Sequence, residues 1–415
     1  MTSNLALRLE KYLAPESSGL LRVAGELASE LGLGLYLVGG AVRDLLLGRV
    51  NFDLDLVVEG DAPKLASLLA QRTGGEVVTH RRFGTAKFSS QNVSIDLATA
   101  RAETYPHPGA LPVVQPSSIK SDLSRRDFTI NAMAIHLDLD NFAKLVDPFG
   151  GERDLAGKLV RVLHEKSFTD DATRMLRAIR YEQRFDFRLE PTTEHLIHRD
   201  LSMLHTISGD RMRHELELIL KEESPEKQLR RAAELGVLET IHPSLKGNGR
   251  ITERFQQARS ITYPPPLGLY FSLLVYHFSQ EEGENLVVRL RIPRATARVM
   301  QDTLRLKEAL VSLDIPEISP SAIYRLLRSF SPTSVLACSI ASDSPLISHR
   351  LQLYLNKLRY VRTSLNGTAL QEMGIPPGPQ LGEVLTGLHE AKLDGKVKTR
   401  EEEMAMVRLW LSPGG

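Results

Sequence analysis

Residues 37–58 read LVGGAVRDLLLGRVNFDLDLVV, and the order of residue types in them constrains the fold more than any other stretch. An apolar run ends at Gly39-Gly40, Arg43 and Asp44 follow, and Asp53 and Asp55 then stand one residue apart in an otherwise apolar segment. Paired glycines after a strand let the backbone approach an anion closely, because no Cβ intervenes. A D-x-D on a strand sends both carboxylates to one face, since strand side chains repeat every two residues. Two carboxylates side by side repel each other, and a divalent cation relieves that repulsion. A phosphate cradle beside metal-holding carboxylates is the apparatus of nucleotidyl transfer. An isolated D-x-D would read as a strand end with two solvated acids; the preceding GGxVRD at this spacing favours the chemical reading.

The 415 residues are enough for two to four domains. Hydrophobic content of 42% and charged content of 25% match an ordinary soluble globular protein. Aromatic content of 6% argues against binding single strands mainly on aromatic platforms. With a formal net charge of +1, a nucleic-acid partner must be held by a local basic face rather than a global field. Cys338 is the only cysteine, which excludes an intrachain disulfide and a multi-cysteine zinc site and fits a reducing cytoplasm. The N-terminal MTSNLALRLEKYLAPESS carries scattered charges and does not read as a signal peptide. The apolar run at 270–278 is about half the length that spans a bilayer.

Periodicity predicts a helix over 18–32 with Leu20, Val23, Leu27 and Leu31 on one face, a strand ending at Val38, and a helix over Ala41–Leu47 stopped by Gly48. The D-x-D strand is expected at 52–58, a helix started by Asp61 and Pro63 at 61–73, and strands at 76–79, 85–89 and 93–98. Pro106, Pro108, Pro112 and Pro116 make Tyr105–Ser118 a loop. RRDFTINAMAI (125–135) is expected to be a helix passing into a strand, and Leu145–Gly151 a turn. After Asp154 the pattern is helical, with breaks near Ser224-Pro225, Tyr263–Pro266, Pro316–Pro320 and Gly374–Pro379. The fold class is therefore an α/β head, a small mixed sheet with helices, followed by an elongated all-α remainder.

Three further groups carry chemistry. Asp96, in SIDLATAR, sits on a strand among apolar residues, where an unpaired acid is costly. A third metal ligand or a general base for a ribose 3′-hydroxyl would explain it, and so would an edge position. Arg125 and Arg126 offer guanidinium forks suited to phosphate oxygens, although a surface ion pair is the plainer reading, and Asp127 could simply hold an arginine in place. In DDATRMLRAIR (170–180), a helix would set Asp171, Arg174 and Arg177 on one slowly rotating face, with Arg180 further round. A solvated ion-pair ladder is the ordinary explanation. The sharper one is that Asp171 accepts from an exocyclic amine while Arg174 donates to the adjoining ring acceptor. Cytosine and adenine present that pattern; uracil and guanine present its reverse. Such a pair would choose CTP and ATP without a template.

With LVGGAVRDLLLG…DLDLVV, RRDFTINAMA, DPFGGERDL (147–155) and DDATRMLRAIRY in this order, the chain resembles the class II tRNA nucleotidyltransferase and bacterial poly(A) polymerase family. The likeness covers about 35–230 and resumes at LNGTALQEMGIPPGPQLGEVL (365–385); the middle, 231–360, is matched only in helical character. The family usually has Glu-Asp at Asp170-Asp171 and Pro-Leu at Ala172-Thr173. The resemblance implies a nucleotidyltransferase head over 1–153, a helical neck over 154–230, a body over 231–320 and a tRNA-binding tail over 321–415. It implies that Asp53 and Asp55 hold Mg2+; Asp96 stands beside them as the candidate third catalytic carboxylate on the residue reading above. It further implies that Gly40 and Arg43 contact the triphosphate and that Arg126, Arg174, Arg177 and Arg180 surround the nucleotide, with Asp171 facing the base. The implied partners are tRNA, ATP and CTP, and the implied place is the cytoplasm, with no membrane. No His-Asp dipeptide occurs, so the metal phosphohydrolase domain of some relatives is not expected in these residues.

Addition of CCA, or of the terminal A alone, to a tRNA 3′ end is the expected activity. A-only addition and poly(A) polymerase-like action on RNA remain open, and AETYPHPGALPVVQPSSIKSDLSRRDFTINAMAI is similar to A-adding members. A catalytically inactive RNA-binding relative is disfavoured by Asp53, Asp55, Asp96 and the Asp171/Arg174 pair. A small-molecule nucleotidyltransferase is disfavoured by the long helical remainder. Arg211 and Arg213 are expected to pair with Glu215 and Glu217 or stay solvated, with RNA contact as the alternative. Gly378 and Gly382 could offer backbone N–H groups to an RNA phosphate or simply connect two helices.

Overall fold

The computed structural model describes residues 5–50, 53–90, 93–104 and 113–411. The chain divides into two units. The first is Met1–Ile219 with Arg231–Ile241, and the second is Leu220–Arg230 with His242–Gly415.

The first unit begins with helices α1 (Leu5–Tyr12) and α2 (Pro15–Glu30), strand β1 (Gly34–Val38) and helix α3 (Gly40–Leu46). Strand β2 (Leu54–Glu59), helix α4 (Ala62–Thr73) and strands β3 (Glu76–His80), β4 (Thr85–Ser90) and β5 (Val93–Thr99) follow. A ribbon of β6 (Arg101–Thr104) and β7 (Val113–Pro116) leads to helix α5 (Ile119–Ser124) and strands β8 (Ala134–His136) and β9 (Leu145–Val146). The main sheet runs β3-β4-β5-β2-β1-β8-β9, and only the β2–β5 pair is parallel. In β2 and β5 the apolar residues Leu54, Leu56, Ile95 and Leu97 are buried while Asp55 and Asp96 stand exposed between them. That alternation puts both acids on the open face of the sheet. The remainder of the unit is mostly helical, with α6 (Gly151–Ala156), α7 (Ser167–Asp170), α8 (Thr173–Phe185), α9 (Pro191–Asp200), α10 (Gly209–Leu220) and a short helix at Val237–Ile241, but it also holds a two-stranded parallel pair, Leu159–Val160 with Arg188–Leu189.

Four expectations change. The buried face of α2 is Leu21, Ala24, Gly25, Leu27 and Ala28, while Leu31 lies beyond the helix as its exposed C-cap. Small residues on that face let the helix lie close on the backbone at Leu137, just past β8, so size rather than apolarity marks the seam. Of the proline-rich stretch, 105–112 lie outside the described residues, but Val113–Pro116 is paired with Arg101–Thr104 as a strand. An edge strand tolerates Pro116 because its missing N–H is not needed there. RRDFTINAMAI does not open as a helix. The helix ends at Ser124, and only a single 3-10 turn, Thr129–Asn131, precedes β8. Buried Asp127 accepts from the backbone N–H of Phe128 and the Asn131 amide, which competes with helical pairing. Finally, Leu145-Val146 is a short edge strand rather than part of the turn.

The second unit is helical among its described residues. Ser319, Ser331 and Ser344 each accept from a backbone N–H in the first turn of the following helix, and each is followed by proline at its first position. Ser279 and Glu282 form a reciprocal capping box. One apolar cluster gathers Leu306, Leu313, Leu327, Val335, Cys338 and Leu351; another gathers Leu365, Leu370, Ile375, Leu388 and Val407. Burial pushes the Cys338 thiol up, as expected for a packing residue. Gly378 precedes the helix Pro379–Leu393, with no side-chain cap. No helix among the described residues is long and apolar enough to cross a membrane.

Two glycines of α2 give a paired test of this packing. A Cβ on Gly25 would stand 2.1 Å from the Leu137 carbonyl oxygen, whereas a Cβ on Gly19 would meet nothing within 4 Å. Gly25→Ala should destabilise the fold by about 1–3 kcal/mol through overpacking. Gly19→Ala should leave it unchanged or stabilise it by about 0.4–1 kcal/mol. Denaturant midpoints of the two variants check this; equal midpoints would contradict the close approach of α2 to Leu137.

Candidate functional site

A cavity of about 590 Å³ opens where β1 runs into α3. Gly39 makes that turn with φ 69° and ψ −127°, a conformation that side chains resist. A Cβ there would lie 2.6 Å from Nη1 of Arg126. The glycine is thus required twice, for the backbone turn and for the guanidinium lying against it. Gly40 begins α3 and lines the cavity, as do Arg43 and Asp44 of the same helix and Asp53 and Asp55 of the D-x-D arm.

Asp55 stands in register with Asp96 on the parallel neighbour β5, and Asp96 is in turn opposite Lys87 on β4. Asp96 does not line the main cavity. It lines an adjoining one of about 450 Å³ together with Asp55, Lys87, Arg125 and Arg126. The expected burial of Asp96 is not found: its side chain is 57% exposed, 3.7 Å from the Lys87 ammonium. Solvent on the open sheet face removes the desolvation cost that motivated that expectation. Burial pushes the Asp55 carboxyl above its usual range, and the charges of Asp96 and Asp53 push the same way, against Arg126. Carboxylates crowded in this way favour a divalent cation. Among the described residues no group of three or more His, Cys, Asp or Glu side chains is gathered to hold a metal ion. Asp53 and Asp55 are the two carboxylates that the D-x-D segment brings to the main cavity.

The arginines come from two segments. Arg125 directs Nε and Nη2 to the fully buried Asp122 and Nη1 to Glu103. Arg126 gives only Nη2 to Asp122, and its buried Nε makes no hydrogen bond. It borders both cavities. From α8, Arg177 donates Nε and Nη2 to Asp127 at 2.9 and 2.5 Å. Burial opposes the charge on Asp127, but Arg177, the Asn131 amide and Arg174 outweigh it and hold the carboxyl below its usual range. The same pairing raises Arg177. Arg43 is buried, clamped by Asp44 and by Asn131 at 2.6 Å, and stacked over Phe185. Arg180 is not among the cavity's lining residues. It is buried beside Glu215, 3.8 Å away, and packs over Tyr181.

Asp171 and Arg174 both line the cavity, but not as a helical ladder. Asp171 precedes α8 with φ −148° and ψ 98°. Its Oδ1 accepts from the N–H and hydroxyl of Thr173, and its Oδ2 accepts from Arg211 of α10 at 2.7 Å. Arg174 donates to the Ser167 hydroxyl and to the Arg125 carbonyl instead. Asp and Thr favour local bonds to nearby backbone, which ends the helix before Asp171 can join it. Arg213 pairs with Asp210 and Glu217. Arg211 was expected beside Glu215 or in solvent; its reach to Asp171, forty positions away, has no periodic signal. Glu103, Asn131, Tyr181 and Arg184 also line the cavity without having stood out in the sequence, and Asp44 of the opening motif joins them. Asn131 was findable, four residues after Asp127 within the same motif.

The model for the poly A polymerase head domain matches residues 35–161, and the model described as "Probable RNA and SrmB- binding site of polymerase A" matches 186–247. The chain is 37% identical to an A-adding tRNA nucleotidyltransferase of Geobacter sulfurreducens over 97% of its length, but spans only 48% of that relative. It is 33% identical to an A-adding tRNA nucleotidyltransferase of Halalkalibacterium halodurans, covering 98% of this chain and 96% of that one. A solved Thermotoga maritima CCA-adding enzyme complexed with tRNA is similar at TM-score 0.81 and 33% identity, covering 99% of both chains.

The Asp127–Arg177 pair should dominate acid sensitivity locally. A carboxyl held below its unfolded value gives stability that is present above the unfolded pKa, near 4, and is lost as pH falls through the folded value. Asp127→Asn should therefore flatten the loss of stability below about pH 4. Asp127→Ala should cost about 1–3 kcal/mol at neutral pH by removing the hydrogen-bonded partner of Arg177 and leaving it only the looser contact with Glu215. Urea midpoints across pH measure both; an unchanged acid limb in Asp127→Asn would contradict the pairing.

Proposed function

The chain belongs to the tRNA nucleotidyltransferases built on the poly A polymerase head domain, and from that premise we propose that it transfers AMP from ATP to the 3′ end of a tRNA lacking its terminal adenosine. The observation that carries this reading is the single cavity that holds the D-x-D acids, Arg126 and Arg177, and the Asp171/Arg174 pair. The D-x-D arm and the arginines suit a metal-bound triphosphate, and Asp171 and Arg174 suit the amino and ring-nitrogen edge of adenine. The A-adding names of two relatives favour terminal A.

In this reading Asp53 and Asp55 hold Mg2+, which when bound would neutralise charge on the reacting phosphates. The ribose 3′-oxygen of the RNA attacks the α-phosphorus of ATP, and the bond to pyrophosphate breaks. Asp96, in register with Asp55 on the open sheet face, takes the hydroxyl proton. Arg126, the least committed of the guanidiniums next to the carboxylates, binds phosphate oxygen. Arg43 is tied by three acceptor contacts, so it supports the cradle and the charge near it more than it grips. Gly40 offers backbone to the phosphates, and Arg177 keeps the wall of the nucleotide pocket in place. Arg180, paired beside Glu215, acts through that wall. The helical remainder would hold the tRNA, divided as neck 154–230, body 231–320 and tail 321–415 behind the head at 1–153. The setting would be the cytoplasm.

Full CCA addition is the second reading, because cytosine shows Asp171 and Arg174 the same pattern as adenine, and the similar Thermotoga protein is a CCA-adding enzyme. Incorporation on three tRNAs, ending before CCA, after C and after CC, separates the two. The A-adding reading expects extension of the last only, from ATP. Extension of all three with CTP and ATP would replace it with CCA addition.

Asp53→Ala and Asp55→Ala should each abolish incorporation with Mg2+ while tRNA still shifts in a gel, since affinity for RNA is mostly a matter of distant phosphate contacts. Substantial incorporation by either variant would remove the carboxylates from the reaction.

A further inference from the structure

We infer that Thr173 and Arg211 are positioning residues that set base selectivity by fixing the carboxylate of Asp171. This rests on the reading of Asp171 as the acceptor for the base amine. A carboxylate offers about four acceptor positions, two on each oxygen. The Thr173 N–H, at 3.0 Å, and the Thr173 hydroxyl, at 2.6 Å, take both positions of Oδ1. The Arg211 guanidinium takes one of Oδ2 at 2.7 Å. A single position on Oδ2 is left, and the two clamps on opposite oxygens prevent the carboxylate plane from turning toward another direction.

Thr173 is buried, so its hydroxyl has little access to solvent as an alternative partner to Asp171. Arg211 comes from α10, which also sends Glu215 beside Arg177 and Arg180. One helix therefore supports Asp171 and two arginines of α8 at once.

The consequence for selection is specific. With the carboxylate locked, its free acceptor position is fixed where adenine carries its 6-amino group. Guanine puts a carbonyl oxygen there, and two acceptors meet. Guanine's nearest donor is its ring N–H, which an unlocked carboxylate could turn to reach. Loosening either clamp should therefore help GTP relative to ATP, two purines of equal size, beyond any effect on overall rate.

The test is kcat/KM for ATP and for GTP on a tRNA ending in CC, with wild type, Thr173→Val, Thr173→Ser and Arg211→Met. Circular dichroism and melting midpoints verify folding. The ATP-to-GTP ratio should fall by about three- to tenfold in Thr173→Val and in Arg211→Met, the worth of a typical hydrogen bond. Thr173→Ser, which keeps the hydroxyl, should restore it. A merely structural role would depress both nucleotides alike and leave the ratio unchanged, which would overturn the inference. If Thr173→Val does not fold, the ratio in Arg211→Met decides. Asp171→Ala serves as the reference. If it changes the ratio while the clamp variants do not, the clamp fails alone. If Asp171→Ala leaves the ratio unchanged, the reading of Asp171 fails with it.

Discussion

The Asp127–Arg177 ion pair joins the two segments from which the site is made. Asp127 belongs to the irregular stretch between α5 and β8, and Arg177 to α8, fifty residues later. Burying a carboxylate costs several kcal/mol, so the pair is tolerable only with further bonds. Asn131 and the Phe128 N–H supply them to Asp127, and Glu215 lies 3.7 Å from Arg177. Arg174, one helical turn earlier, donates to the Arg125 carbonyl across the same seam. The wall carrying Arg125 and Arg126 and the wall carrying Asp171 and Arg174 are thereby held in register. That seam brings Asp53, Asp55 and Arg126 into one cavity with Asp171 and Arg174.

Charge in the cavity is balanced with care. Its lining includes six arginines, at 43, 125, 126, 174, 177 and 184, and six acids, Asp44, Asp53, Asp55, Glu103, Asp127 and Asp171. Most guanidiniums are bound to acids that hold their direction, as Asp122 holds Arg125 and Arg126 from a position with no solvent exposure. A triphosphate entering by itself would find little net attraction, since fixed acids offset the arginines. In the proposed function, a triphosphate carrying a divalent cation would bring charge opposite to that of Asp53 and Asp55. In the structure the acids tether the arginines, as Asp44 does Arg43 and Asp127 does Arg177; in the proposed function Asp53 and Asp55 would serve as ligands for a cation instead.

Much of the head was legible in the sequence because its signals are local. The alternation around Asp55 and Asp96 gave the strands, and Asp61 with Pro63 gave the start of α4. Asp53, Asp55, Arg126, Asp171, Arg174 and Arg177 do meet in one cavity. What was not legible depends on bonds between distant residues or on side-chain size. Asp171 is drawn off the helix by Thr173 and Arg211. Asp127 holds the chain out of a helix that apolar spacing suggested. The α2 seam is chosen by Gly25 against the Leu137 carbonyl, which hydrophobic periodicity does not weigh. Arg180, one turn beyond Arg177, is buried beside Glu215 and does not line the cavity, a difference that depends on burial and not on spacing.

The central claim, that Asp171 reads the amino group of the incoming base, can be tested from the substrate side. Purine riboside triphosphate is ATP without its 6-amino group. Its kcat/KM should be compared with that of ATP in wild type and in Asp171→Ala, on a tRNA ending in CC. The account predicts that wild type prefers ATP by about tenfold or more, as expected for a hydrogen bond to a charged group. It predicts that the preference nearly vanishes in Asp171→Ala, where the partner is gone. The same preference in both proteins would mean that the amine is recognised elsewhere, and would contradict the account.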